Sequence, residues 1–111
     1  MPTFPLDRVR GHELLPDSVA GGLPALYANE GESDPVALVK FFCPYSAAVW
    51  YITEYSPAED LAFGWADLGF DCGELGYISV EELATAEKRG LPLIERDLYW
   101  SPRPLSEAIK G

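Results

Sequence analysis

The sequence predicts an α+β protein, a small antiparallel sheet of three to five strands with short helices packed on one face. Three observations lead there. The stretch 36–78 is rich in β-branched and aromatic residues, much of it in strict alternation. The connections within it are too short for the dozen-residue crossover that a parallel pair needs. A helix-start signal follows immediately, at Ser79. At 111 residues the chain has room for one domain. It divides into a helical and loop lead-in (1–35), the sheet (36–78), a helix (79–90), and a closing strand and C-terminal helix (91–111).

In the lead-in, Pro16 suits the first turn of a short helix from about Leu15 to Ala20, which Gly21-Gly22 ends. A short apolar stretch from Leu23 to Tyr27 follows, and then a breaker loop, Asn29 to Pro35. Val36 to Cys43 reads as a strand closed by the turn Cys43-Pro44-Tyr45-Ser46. Ala48 to Tyr55 reads as the next, with Val49, Tyr51, Thr53 and Tyr55 on one face and Trp50, Ile52 and Glu54 on the other. Leu61 to Ala66 alternates Leu61, Phe63 and Trp65 against Ala62, Gly64 and Ala66, and Gly73 to Ile78 is a fourth strand. Ser79-Val80-Glu81-Glu82 is a capping box, with Lys88-Arg89 placed to complement the helix dipole and Gly90 and Pro92 to stop the helix. Pro104 opens a final helix burying Leu105, Ala108 and Ile109.

Hydrophobic residues make up 48% of the chain, enough to build a core. Eighteen acids against eight Lys and Arg give a net charge of −10. That balance argues against direct nucleic-acid binding, which needs a basic footprint, and against an anionic membrane. The longest strictly apolar run, Ala47 to Ile52, is far short of a membrane span, and Met1 to Pro5 lacks the features of a signal peptide. A cytoplasmic protein is the expectation. Cys43 and Cys72 then read as free thiols, and one histidine, His12, with two cysteines does not make a structural zinc site.

Between Phe41 and Glu87 there is no Lys or Arg, while nine acids fall in the same stretch. One reading is a solvated acidic surface that maintains solubility. The sharper reading is an electronegative face for a basic partner. Glu54, Asp67, Asp71, Glu74, Glu81 and Glu82 would carry the charge, with Trp65 and Tyr77 as apolar anchors. Asp67, Asp71 and Glu74 share a Gly-containing loop of the kind that supplies oxygen ligands to hard cations, but the spacing departs from an EF-hand. No metal and no cofactor is assigned. Cys43-Pro44-Tyr45-Ser46 resembles a glutaredoxin-like active-site turn, yet the following alternation argues for a strand, not the helix that would activate the thiol. The dense aromatics, including Trp50, Tyr51, Phe63, Trp65, Tyr77 and Trp100, serve core packing, with one or two left for an interface.

A wider pattern runs through the chain: Leu14-Leu15-Pro16; Lys40-Phe41-Phe42 then Pro44; Trp50-Tyr51 then Thr53-Glu54; Phe63-Gly64; Glu74-Leu75-Gly76-Tyr77; Glu82-Leu83; Gly90-Leu91-Pro92; Ile94-Glu95-Arg96-Asp97; and Pro102, Leu105 and Glu107. It resembles the domain of unknown function 2958 family, short proteins encoded largely on bacterial plasmids and integrative elements. Cys43 departs from the threonine that the family pattern leads one to expect before Pro44. The family lends no activity and no functional residue. It implies a setting, a mobile element served by small acidic proteins that block host defence or support transfer. The reading is therefore a non-enzymatic inhibitor or adaptor of anti-CRISPR or anti-restriction type. Its acidic face would mimic DNA toward a basic protein partner, a nuclease, restriction or CRISPR component. The rival readings are a carboxylate-based metal-dependent hydrolase using Glu54, Glu95 and Asp97 with Arg96, and a thiol protein using Cys43.

Overall fold

The β-branched and aromatic stretch after Pro35 forms β1 (Val36–Ala37), β2 (Val39–Phe42), β3 (Val49–Ser56), β4 (Leu61–Asp67) and β5 (Glu74–Ser79) in a computed structural model, which describes residues 6–70 and 72–110. Further along lie β6 (Glu87–Lys88), β7 (Leu91–Pro92), β8 (Glu95–Arg96) and β9 (Arg103–Pro104). The main sheet has the order β5-β4-β3-β2-β8, with every pairing antiparallel, while β1 pairs with β9 and β6 with β7. The helices are short: α1 (Asp7–Arg10), α2 (Asp17–Ala20), α3 (Val80–Thr85) and α4 (Leu105–Lys110). The α+β fold with its antiparallel sheet is the one expected. No helix among the described residues is long and apolar enough to cross a membrane.

One face of the sheet is closed. Trp50, Ile52 and Tyr55 of β3 pack with Val39, Phe41 and Ile78, beneath Leu14, Leu15 and Ala20 of the lead-in and Val80, Leu83 and Ala84 of α3. On β4 this face carries only Ala62, Gly64 and Ala66, which leaves room for the large β3 side chains beside them. The opposite face is only partly covered. There α4 contributes Leu105 and Ala108 against Tyr51 and Ala37, with Val49, Trp65 and Trp100 packed around them.

Strict alternation along β3 fails at one residue. Ile52 pairs with Gly64 but Glu54 pairs with Phe63, so Thr53 is an extra residue, a β-bulge. The Thr53 hydroxyl donates to the Phe63 carbonyl at 3.1 Å. Beyond the bulge the faces exchange, so Tyr55 joins Trp50 and Ile52 in the closed core, whereas Glu54 turns to the open face with Tyr51. This corrects the expected grouping of Tyr55 with Val49 and Tyr51. The bulge needs Gly64, since a Cβ there would lie 1.9 Å from the Tyr51 carbonyl oxygen.

The helix expected over 79–90 ends at Thr85. The Ser79 hydroxyl accepts the Glu82 amide as the capping box requires. The apolar stripe, however, runs out at Ala84, and nothing beyond it holds a further turn against the sheet. Ala86 is extended, and Glu87 to Pro92 form a hairpin turning through Arg89 and Gly90, both at positive φ. Lys88 therefore lies in β6 and Arg89 in the turn, and neither complements a helix dipole. In the last helix Leu105 and Ala108 are buried but Ile109 is exposed.

The lead-in is tied down by polar contacts. Arg10 pairs with the buried Asp7 and donates to the carbonyls of Ile94 and Ala84 at 2.7 and 3.0 Å. Arg96 donates to the Leu14 carbonyl at 3.1 Å, and its amide donates to His12 Nε2 at 3.3 Å. Burial, followed by the positive charges of Arg96 and Arg10, holds the His12 pKa below its ordinary value.

Two predictions follow from these contacts. Gly64→Ala lowers stability by about 3 kcal/mol in chemical denaturation, the cost of forcing backbone apart in a packed region. Gly76→Ala, on the paired strand where an added Cβ meets nothing within 4 Å, stays within about 0.5 kcal/mol of wild type. Equal costs at the two sites would refute the close approach. For His12 the unfolded chain binds the proton more readily than the folded one, so stability is full above about pH 6.5 and declines as pH falls through that value. Melting temperature therefore drops between about pH 7.5 and pH 5.5, and His12→Gln flattens the drop. An unchanged slope in the variant would rule out His12 as its source.

Candidate functional site

The open face of the sheet has two halves. In the first, Tyr51 is flanked by Trp65 and Trp100, with ring centroids 6.0 and 5.4 Å away. Two cations of the chain stack on this group. Arg103 lies 4.2 Å from the Trp100 ring centre, and Lys40 lies 5.6 and 5.9 Å from the Trp100 and Tyr51 rings. The Trp100 indole N–H donates to the Ala37 carbonyl at 3.0 Å. Gly73 lies hard against Trp65, where a Cβ would come within 1.8 Å of the indole. This half is filled.

The second half is a pocket of about 290 Å³ over β3, β4 and β5. Its floor is Phe63 and Tyr77, in edge-on contact at 5.3 Å, with Leu75 beside them and Leu105 of α4 at one side. The loop 27–35 forms the opposite wall. Tyr27, Leu75 and Tyr77 are 63%, 55% and 55% exposed. Glu30, Glu32 and Glu54 line the pocket, and no Lys or Arg does so among the described residues.

Glu54 is the anchor of this wall. The residue is 5% exposed, and its two carboxylate oxygens accept the backbone amides of Tyr27 and Asn29 at 2.8 and 2.7 Å. The Asn29 side chain adds a bond to the Thr53 carbonyl at 3.2 Å. Held this way, Tyr27 has a φ of +70, unusual for a residue with a Cβ. Its hydroxyl accepts from that of Tyr77 at 3.2 Å. That bond raises the Tyr77 pKa, and the charges of Glu54 and Glu59 push it further in the same direction. At the far end of the loop Asp34 accepts from the Ser106 amide and hydroxyl at 2.9 and 2.7 Å, joining the loop to the first turn of α4.

The residues expected to form one acidic face are spread over several places. Glu54, Trp65 and Tyr77 share the open face, with Glu54 engaged by the loop and Trp65 in the filled half. Asp67 accepts the Gly69 and Phe70 amides at 2.8 and 3.1 Å and caps the turn after β4. Glu74 is exposed on β5, on the closed side of the sheet beside Ala66. Glu81 and Glu82 are exposed in the first turn of α3. Asp71 lies outside the described residues. The structure adds Tyr27, Glu30 and Glu32. Their density of aromatic and acidic side chains was visible in the loop, but nothing local said that the loop folds over the sheet.

Glu54 stands apart from the other acids of the hydrolase reading. Glu95 pairs with Phe42, and Phe42 with Val49, five residues along β3 from Glu54. Asp97 accepts the Tyr99 amide at 3.0 Å. Among the described residues no three His, Cys, Asp or Glu stand where they could hold a metal ion together. Cys43 is half-buried in the turn between β2 and β3, with a strand and not a helix after it.

Fold and site together define a small α+β protein with an acid-lined aromatic pocket on a half-open sheet. The chain belongs to the family of proteins of unknown function designated DUF2958, whose model matches residues 19–110, nearly its whole length. No curated protein and no solved structure matches it.

The anchor yields a prediction. In Glu54→Gln one oxygen becomes an NH₂ that faces an amide donor, so a charge-assisted bond is lost. Stability falls by about 2 kcal/mol, and hydrogen exchange speeds up at the Tyr27 and Asn29 amides before it does elsewhere. Unchanged exchange at those two amides would refute the anchoring role.

Proposed function

We propose that the protein is a non-enzymatic binding protein, an inhibitor or adaptor that presents an electronegative surface to a basic partner. The observation that carries this reading is a set of exposed acids, Glu59, Glu74, Glu81 and Glu82. None of them is paired with Lys or Arg among the described residues, and all belong to a stretch devoid of cations. Complementary potentials of this kind speed encounter with a basic surface and reject acidic ones. Glu54 and Asp67 hold backbone amides of their own chain, so the interaction falls to the other acids, with Tyr77 as the apolar anchor. A nucleic-acid-binding surface on a nuclease, restriction or CRISPR complex has the required charge. The mobile-element setting implied by the family resemblance makes blocking host defence a coherent purpose.

The test uses the intact protein as bait in a lysate of its natural host, beside a variant carrying Glu59→Lys, Glu74→Lys, Glu81→Lys and Glu82→Lys that melts as the wild type does. Basic nucleic-acid-binding proteins are retained at low salt, released at high salt, and missed by the variant. Capture that is indifferent to both salt and charge reversal would overturn the reading.

A further inference from the structure

The two halves of the open face share one construction and differ in one component. In the filled half, aromatic rings carry the chain's own cations, Arg103 on Trp100 and Lys40 between Trp100 and Tyr51. In the pocket half the rings are again present, as Phe63, Tyr77 and Tyr27, and acids surround them, but no cation of the described chain enters. Glu59 belongs to the same surroundings, because its charge acts on Tyr77. The apolar floor is exposed to a degree that a core-forming surface is not, since Leu75 and Tyr77 are each more than half accessible.

The pocket also borders a free strand edge. β5 is the last strand on its side of the main sheet, bonded there to β4 alone among the described residues, and apart from Glu74 at its start it carries no charge, Pro or bulge of the kind that blunts an exposed edge. Leu75 and Tyr77 belong both to that edge and to the pocket floor. An extended segment added along the edge would be held by main-chain hydrogen bonds, while alternate side chains reach over the same face. A cavity of about 290 Å³ is at the small end for ligand sites and suits one long side chain.

We infer that this pocket receives an Arg or Lys side chain from an extended basic segment of a protein partner, which pairs with the free edge of β5. The cation lies against Tyr77 and Phe63, within reach of Glu30 and Glu32. The inference rests on the proposed binding role and deepens it, for it says which part of a basic partner is read and where.

The test is a titration of the ¹⁵N-labelled full chain with the blocked peptide Thr-Val-Arg-Val-Thr, followed by amide shifts. Shifts centred on Tyr27, Phe63, Leu75 and Tyr77 are expected. Replacing the peptide's Arg by norleucine weakens binding about tenfold, and so does the protein variant Glu30→Gln/Glu32→Gln, as loss of a cation–π and ion-pair site should. Methylating the peptide's backbone nitrogens weakens it further. Tyr77→Ala, checked for a retained spectrum, abolishes the shifts. Equal binding of the norleucine peptide, indifference to N-methylation, or no shifts at millimolar peptide would overturn the inference. Shifts centred on Glu81 and Glu82 would overturn it too, while leaving the broader electronegative role standing. That role fails separately, if lysate capture ignores charge reversal.

Discussion

The extra residue at Thr53 is the constraint on which the architecture of the open face depends. Without it Glu54 would point into the closed core, beneath Leu14 and Val80, where a carboxylate has no partner and is costly to desolvate. With it, Tyr55 fills the core, and Glu54 emerges on the opposite face, buried but bonded to two amides of the loop. The loop wall, the left-handed Tyr27 and the Tyr27–Tyr77 contact all follow from that placement. Gly64 makes it sterically feasible, so one glycine on β4 and one surplus residue on β3 jointly set the shape of the pocket.

What could be read in the sequence were the features encoded locally. The strands between Val39 and Ser79 appear where alternation and β-branched residues place them, and Ser79 caps its helix as its spacing to Glu82 suggests. The single strand expected over Val36 to Cys43 divides, however, because Val36 and Ala37 pair with β9 and not with the main sheet. What could not be read depends on partners distant in sequence. Alternation in 48–55 looks unbroken until Gly64 is known to lie opposite Ile52. A helix running on to Gly90 is expected because Lys88 and Arg89 suit the C-terminal end of its dipole, but Glu87 and Lys88 find strand partners in Pro92 and Leu91. The lead-in reads as short helix and loop, yet Leu14 and Leu15 are almost fully buried, and Arg10 and Arg96 bind backbone carbonyls around them. The acidic bias was plain in composition. Its division among β5, α3 and the pocket wall was a matter of tertiary structure.

The distribution of cations sharpens that bias. Of the eight Lys and Arg, four are engaged by the chain itself. Arg10 and Arg96 hold carbonyls, while Lys40 and Arg103 lie on aromatic rings. The exposed remainder is Arg8, Lys88, Arg89 and Lys110, with two of these in one hairpin. None of these four lines the pocket, and Lys110 acts on Asp34 at the far end of its loop wall, so Glu30, Glu32 and Glu54 line the cavity without a Lys or Arg among them.

Such a surface works against the fold. Unpaired acids repel one another, and Tyr27, Leu75 and Tyr77 keep apolar area in water that burial would stabilise by roughly 25 cal/mol per Å². A domain of this size has only about 5–15 kcal/mol of stability to lose. The filled half of the same face shows how the conflict is relieved elsewhere in the molecule, by Lys40 and Arg103 laid on the rings. A single Lys or Arg in the loop 27–35 would do the same for the pocket, since that loop already closes one side of it and is held by Glu54 and Asp34. The loop instead supplies Glu30 and Glu32. A cation brought by another molecule relieves the repulsion and covers the exposed rings at once, which makes the pocket complementary to a basic segment and unsuited to a neutral or acidic one.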